Sequence, residues 1–305
     1  MIANQLALVR RELWEHRSLY VTPAVVALVM MLAILTAFVF ASGYQEIVDM
    51  GIVGAQNLAG DAERRAALMA LMIGNTIPFI FAGAILTTFY CLDSLYAERK
   101  SKSILFWRSL PITDAETVVS KFLTATLAIP LVAFAVIVIT HLLILLMTSI
   151  FVSIEGGSSM LLIWKSAPLF DVWAAILIIT LLLPVWFSPL IGWFLFVSAW
   201  TKRAPLLMAF LPLVLLPTLE YWVLRTHLIF DAIKTRFEHL PIFKGIEPEL
   251  FFDEERFIAE ADAVSLLGFI DIGKFLASPQ MWAGVIVAGL FITAAIYVRR
   301  YRDDT

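Results

Sequence analysis

Residues 122–152 read FLTATLAIPLVAFAVIVITHLLILLMTSIFV, 31 positions without one Asp, Glu, Lys or Arg. At ~1.5 Å per residue, a helix of about 20 such residues crosses a ~30 Å hydrocarbon layer. A strand of a membrane barrel would alternate polar and apolar side chains, which this stretch does not do. The rest of the chain agrees: of 305 residues, 61% are hydrophobic and only 15% are charged, too few charges to cover a water-facing globule. Comparable runs place further spans at about 21–43, 67–93, 172–200, 205–224 and 279–298. The expectation is an all-α membrane protein, one domain over 1–305, with six transmembrane helices.

Flanking residues support these ends. Tyr20 and Tyr44 bracket the first span, and Trp282 and Tyr297 the last, as rings at the headgroup level do. Pro23, Pro78, Pro130, Pro184, Pro189, Pro212 and Pro217 fall inside spans and predict kinks, since proline donates no backbone hydrogen bond. The early stretch LVRRELWEHR puts charge where a cleavable leader needs an apolar core, so the N-terminal segment is expected to be retained. Cys91 is the sole cysteine and reads as a small packing residue, which rules out an intrachain disulfide.

Sorting charge by side gives an orientation. Residues 1–20, 94–121, 201–204 and the tail hold 13 Lys and Arg against nine elsewhere. Asp and Glu divide 8 against 17, with Asp171 and Glu220 counted on the side they border. The positive-inside rule then predicts both termini and the 94–121 loop in the cytoplasm. Ile2, Leu6, Val9 and Leu13 recur at helical spacing, with Arg10, Arg11, Glu12 and Glu15 on other faces, which predicts an interfacial helix within 1–20. Residues 225–278 are too long for a turn. Apolar spacing at Phe230, Ile233 and Phe237, followed by Asp253, Glu254 and Glu255, predicts a small extracytoplasmic cap.

The loop AERKSKSILFWRSLPIT, residues 97–113, sets four basic residues around Ile104, Leu105, Phe106 and Trp107. Thr113 and Glu116 have capping-box spacing, so a helix begins near Asp114 and runs through Lys121 into the third span. Pro111 separates it from a short crosswise helix over about 101–110. Its apolar residues either dip into the lipid interface or dock a soluble partner.

The stretch YAERKSKSILFWRSLPIT, followed by VVSKFL, resembles the cytoplasmic loop of bacterial ABC-2 type permeases, the membrane subunits of ATP-binding-cassette transporters. FVSAWTKRAPLLMAFLPLVLL and the ending SPQMWAGVIVAGLFITAAIYVRRYR are similar to the same family, and the likeness is weakest in the two outer loops. The resemblance implies a multi-pass protein of the bacterial cytoplasmic membrane that acts as an exporter. It also implies that the chain pairs with a second permease copy and a separate cytosolic ATPase, which binds the ATP and Mg. In that picture this chain carries no cofactor and no chemistry of its own. The ATPase would meet the loop and the N-terminal helix at Arg10, Arg11, Glu98, Arg99, Lys102, Ile104, Leu105, Phe106, Trp107 and Arg108. A peptide, a lipid or an antibiotic is the expected cargo, because the spans lack a charged pocket.

Other motifs point elsewhere less strongly. GFIDIGKF, Gly268–Phe275, fits G-x-x-x-x-G-K but ends in Phe where Ser or Thr must meet magnesium, and it falls on the expected outer side. His16, His141, His227 and His239 show no H-E-x-x-H pair and no metal spacing, and no G-x-S-x-G elbow is present, which disfavours a membrane-embedded hydrolase. EERFIAEAD offers paired carboxylates in the hydrophilic outer loop, where solvated charge is the default. An ion-coupled secondary transporter would carry buried ionisable groups, and the spans hold few besides His141. Asn75, Thr76, Thr87, Thr88 and His141 are the candidate lining of a translocation path. Hydrogen bonding between packed helices is the competing role for all five. Nothing in the pattern suggests a nucleic-acid partner.

Overall fold

A computed structural model describes residues 2–40, 61–103, 111–154, 157–243 and 265–301. Among them are six helices long and apolar enough to cross a membrane. The chain is an all-α membrane protein with multiple spans. Helix α1 covers Ile2–Glu15, α2 Ser18–Phe40 and α3 Asp61–Lys100. Then α4, Asp114–Leu123, passes through a π-helical turn, Thr124–Ala128, into α5, Ile129–Ile154. Helix α6, Leu169–Trp186, is followed by α7, Ser188–Trp200, α8, Pro205–Leu224, and α9, Leu228–Glu238. A short α10, Ile272–Ala277, precedes α11, Pro279–Tyr301.

The fifth expected span is met residue for residue by α8, and α11 extends the sixth by three residues. Elsewhere the expectations need correction. The segment expected as one span over 172–200 is two helices, because Phe187 adopts φ −85° and ψ 9° and leaves the α region. Pro189 has no amide to continue the ladder and sits in the first turn of α7, where none is needed. Helix α3 has 40 residues against 27 expected for the second span, and the α4 to α5 unit has 41, its start at Asp114 joining the third span as expected. Each is about 60 Å long, twice the hydrocarbon thickness, so roughly half of each lies beyond it.

The two largest apolar clusters among the described residues lie at opposite ends of the bundle. One, near the end that carries α1, joins Leu19, Tyr90, Leu95, Val118, Leu195 and Ala295. The other, toward the opposite end, joins Met69, Phe79, Ile137, Val172, Leu266 and Ile270. Helix α7 lies in the first core between α3 and α11, where Gly192 lets α11 approach: a Cβ there would sit 3.1 Å from the Ala288 carbonyl oxygen. Large apolar side chains such as Leu28, Val214, Ile286 and Leu290 face outward, as in a helix bundle solvated by lipid.

The expected capping box is present. Thr113 Oγ1 accepts from the Glu116 amide at 3.1 Å, and the Glu116 carboxylate accepts from the Thr113 amide at 3.0 Å. Helix α9 covers Phe230, Ile233 and Phe237, whose spacing predicts a helix. Asp253, Glu254 and Glu255 lie outside the described residues, as do Tyr44 and the loop residues Ile104, Leu105, Phe106, Trp107 and Arg108.

Candidate functional site

Where α1, α3, α4 and α11 meet, six ionised side chains form one buried network. Lys121 Nζ on α4 lies 3.0 and 3.1 Å from the two Glu12 carboxylate oxygens and 3.0 Å from Glu98 Oε1. Arg11 Nη2 reaches Glu12 at 2.8 Å and Glu98 at 3.2 Å. Arg299, at the end of α11, donates to Glu98 Oε2 at 2.6 Å and to Asp114 Oδ1 at 2.9 Å. Tyr90 donates its hydroxyl proton to Glu12 Oε2 at 2.9 Å. Within this set three carboxylates face three cations, and Glu12, Glu98, Lys121 and Arg299 are almost fully buried; the exposed Glu15 adds a further carboxylate at the rim, 3.4 Å from Arg11 Nε.

This placement corrects one expectation: Glu12 is not on a polar outer face of α1 but is its most buried charge, beside Leu8. Desolvation alone would cost a buried carboxylate several kcal/mol, which only close partners offset. Burial pushes the Glu12 carboxyl upward, but Lys121 and then Arg11 outweigh it and hold the group below the usual carboxylate range. Glu12 therefore remains charged.

Among the other residues expected at a partner surface, Arg10 and Lys102 are exposed. Arg10 stacks over the Trp14 ring at 5.2 Å. Lys102 takes a left-handed conformation, φ 58°, in the turn that ends α3. Arg99 points inward and donates to the carbonyls of Ser198 and Thr201, the latter at 2.7 Å. Nearby, the Ser198 hydroxyl accepts from the Leu95 and Tyr96 amides and donates to Leu92 O, which pins α7 against α3. Arg11, Glu98 and Arg99 therefore brace the face from within, while Arg10 and Lys102 lie on it.

The five candidate path residues divide. Thr87 and Thr88 line a cavity of about 410 Å³ between α3, α5, α6, α7, α8 and α9. Asn75, Thr76 and His141 lie away from it. The Asn75 amide donates to Leu71 O, Thr76 donates to Met72 O, and Thr76 Oγ1 is 3.4 Å from His141 Nε2. The Thr76–His141 pair joins α3 to α5, whereas the Asn75 bond stays within α3.

At the opposite end, two carboxylates and one arginine order the connecting segments. Glu220 accepts from the Thr226 hydroxyl and from the Leu228 and Ile229 amides at 2.7–2.8 Å, which fixes the corner between α8 and α9. Asp171 receives the Ser265 hydroxyl and the Leu266 amide. Arg236 donates to Trp186 O at 2.9 Å, the Trp186 indole donates back to Arg236 O at 2.8 Å, and the guanidinium lies over the indole at 4.5 Å. Partial burial lowers the Arg236 pKa, though an arginine stays charged regardless. A Cβ at Gly284 would overlap that guanidinium. Gly268–Phe275 forms a 3-10 turn and the start of α10, with Asp271 capping the Lys274 amide at 2.8 Å. Among the described residues, no three His, Cys, Asp or Glu side chains gather as a metal site.

Asp114, Lys121 and Arg299 were not singled out from the sequence as site residues. Their signal is weak: Lys121 in VVSKFL shares its helical face with Thr117, Val118, Thr124 and Ala125, and nothing in that local pattern names a partner. Searches of family models, characterised proteins and solved structures found no match to this chain.

Proposed function

We propose that the chain is the membrane-spanning permease subunit of an ATP-binding-cassette exporter of the ABC-2 type. It would couple ATP hydrolysis by a separate cytosolic ATPase to movement of a peptide-, lipid- or antibiotic-like cargo. The observation that carries this proposal is the buried network of Glu12, Glu98, Lys121 and Arg299 with Arg11 and Asp114. It ties α1, both helices that flank the 101–113 connection, and the last span into one unit. A force applied at that connection by a soluble partner would move four elements together, because separating them would strand buried charges.

The likeness of residues 96–113 to the cytoplasmic loops of such permeases, the six apolar helices and the excess of Lys and Arg on that face support the same view. On it, the network end is cytoplasmic, ATP and Mg belong to the partner, and a second permease copy completes the transporter. Differential contacts of the loop with the ATP-bound and ATP-free partner would supply the work. The test is gentle purification of the chain from its native membrane, with ATP hydrolysis assayed with and without it. A stoichiometric cytosolic ATPase whose rate depends on the chain supports the proposal. Recovery of the chain alone, under conditions that preserve other membrane complexes, counts against it.

A further inference from the structure

The 410 Å³ cavity has a lining that fits one class of ligand. Three of its wall side chains carry a hydroxyl, Thr87, Thr88 and Thr180, and the remainder are apolar. The Thr88 hydroxyl donates to Ala84 O, and three hydroxyls in a lining of this size give few anchors for a polar guest. The pocket is open on one side rather than sealed, and water at its apolar walls would lack the two to four polar partners it needs. Left without a well-fitting guest, its walls would forgo dispersion contacts. Binding pockets for small molecules begin at about 300 Å³ and are mostly apolar, so the size suits an organic ligand.

The cavity exists because the helices around it depart from regular packing. On the long α4–α5 unit the π-helical turn, where the Ile129 amide reaches back to Thr124 O, shifts the register just before Pro130. Helix α6 breaks at Phe187 after Pro184, and Gly83 on α3 contributes no side chain: a Cβ there would meet nothing within 4 Å. Pro130, Pro184, Phe187 and Gly83 all line the space. Along the α4–α5 axis it runs from Ala125 to Ile137, about 6 to 24 Å beyond Lys121, which is membrane depth. One wall is the α8–α9 hairpin, and α9 contributes Ile233 and the largely exposed Phe237.

We infer that this cavity binds one alkyl chain of a membrane amphiphile, entering from the bilayer beside the α8–α9 hairpin. The site does not depend on the transport proposal, because its test contains no ATPase.

The experiment uses the full chain in phosphatidylcholine and phosphatidylglycerol nanodiscs, with a palmitic acid carrying a mid-chain diazirine, and maps the adducts by mass spectrometry after illumination. Adducts near Gly83, Ile137 and Leu183 are expected at several times the yield on the lipid face of α2 around Leu28. Excess unlabelled palmitate, which requires no variant, should reduce the cavity adducts at least fivefold and leave the α2 adducts unchanged. G83L places a side chain in the void and should cause a similar loss, whereas G289L, at another open glycine on the exposed side of α11, should not. Equal labelling of α2 and the cavity, or cavity labelling insensitive to both competitor and G83L, would overturn the inference. A parallel phosphatidylglycerol probe with the diazirine on one acyl chain separates the sources. Cavity adducts from it identify a bilayer lipid, and adducts from the fatty acid alone identify a single-chain amphiphile; either outcome upholds the site.

Discussion

Replacing Lys121 with Met keeps the length of the side chain and removes only its charge and three hydrogen-bond donors. In the folded chain that ammonium makes three contacts of 3.0–3.1 Å to two carboxylates. Its loss leaves three buried or half-buried carboxylates facing two guanidinium groups, a net charge of −1 at a site where Glu12 and Glu98 see almost no solvent. Breaking a buried ion pair from one side costs about 3–5 kcal/mol. At roughly 2 °C per kcal/mol for a chain of this size, the melting temperature of K121M should fall by about 6–10 °C. The assay is thermal unfolding of the purified protein in detergent or nanodiscs, followed by intrinsic tryptophan fluorescence. The second variant E12Q, combined with K121M, restores the parent's net charge and should recover a large part of the loss. A K121M protein within about 2 °C of the parent, or a double variant whose losses simply add, would refute the claim that this network holds the four helices together.

Other outcomes follow from neighbouring features. The Glu12 carboxyl lies below its unfolded value, so its contribution to stability is complete above about pH 4.3 and is lost as pH falls through the lower folded value; E12Q should flatten that acid limb of a stability profile. E220A removes the acceptor for the Leu228 and Ile229 amides, and hydrogen exchange at each of these two should quicken by roughly 10- to 100-fold, the equivalent of one lost charged hydrogen bond per amide. G192L pushes a side chain against the Ala288 backbone and should destabilise by about 1–3 kcal/mol in the same thermal assay.

What the sequence made legible was local. The run over 205–224 ends where its hydropathy ends, and the Thr113–Glu116 box is a three-residue relation, so both appear in the structure where the pattern put them. The break at Phe187 was half visible. Pro184 and Pro189 mark a disturbance, but the Trp186–Arg236 hydrogen bonds beside the break join residues 50 apart, which no local pattern shows. Glu12 was misread because a charge on an amphipathic helix belongs to the solvent face unless a partner comes from elsewhere. Its partner Lys121 lies 109 residues along the chain. The cavity was invisible for a related reason: Thr87 and Thr88 looked like path residues alongside Asn75, Thr76 and His141. Only the three-dimensional course of α5 and α6 separates the two groups.

The most direct measurement bearing on the transport proposal is ATP hydrolysis by the reconstituted complex of this chain with the ATPase that accompanies it, comparing the parent chain with F106A/W107A. If the 97–113 loop transmits force from the ATPase, the double variant should insert in the membrane normally, while the dependence of hydrolysis on the permease is lost or reduced several-fold. Hydrolysis that responds to the variant and to the parent alike would contradict a coupling role for the loop and leave its aromatic residues as lipid anchors.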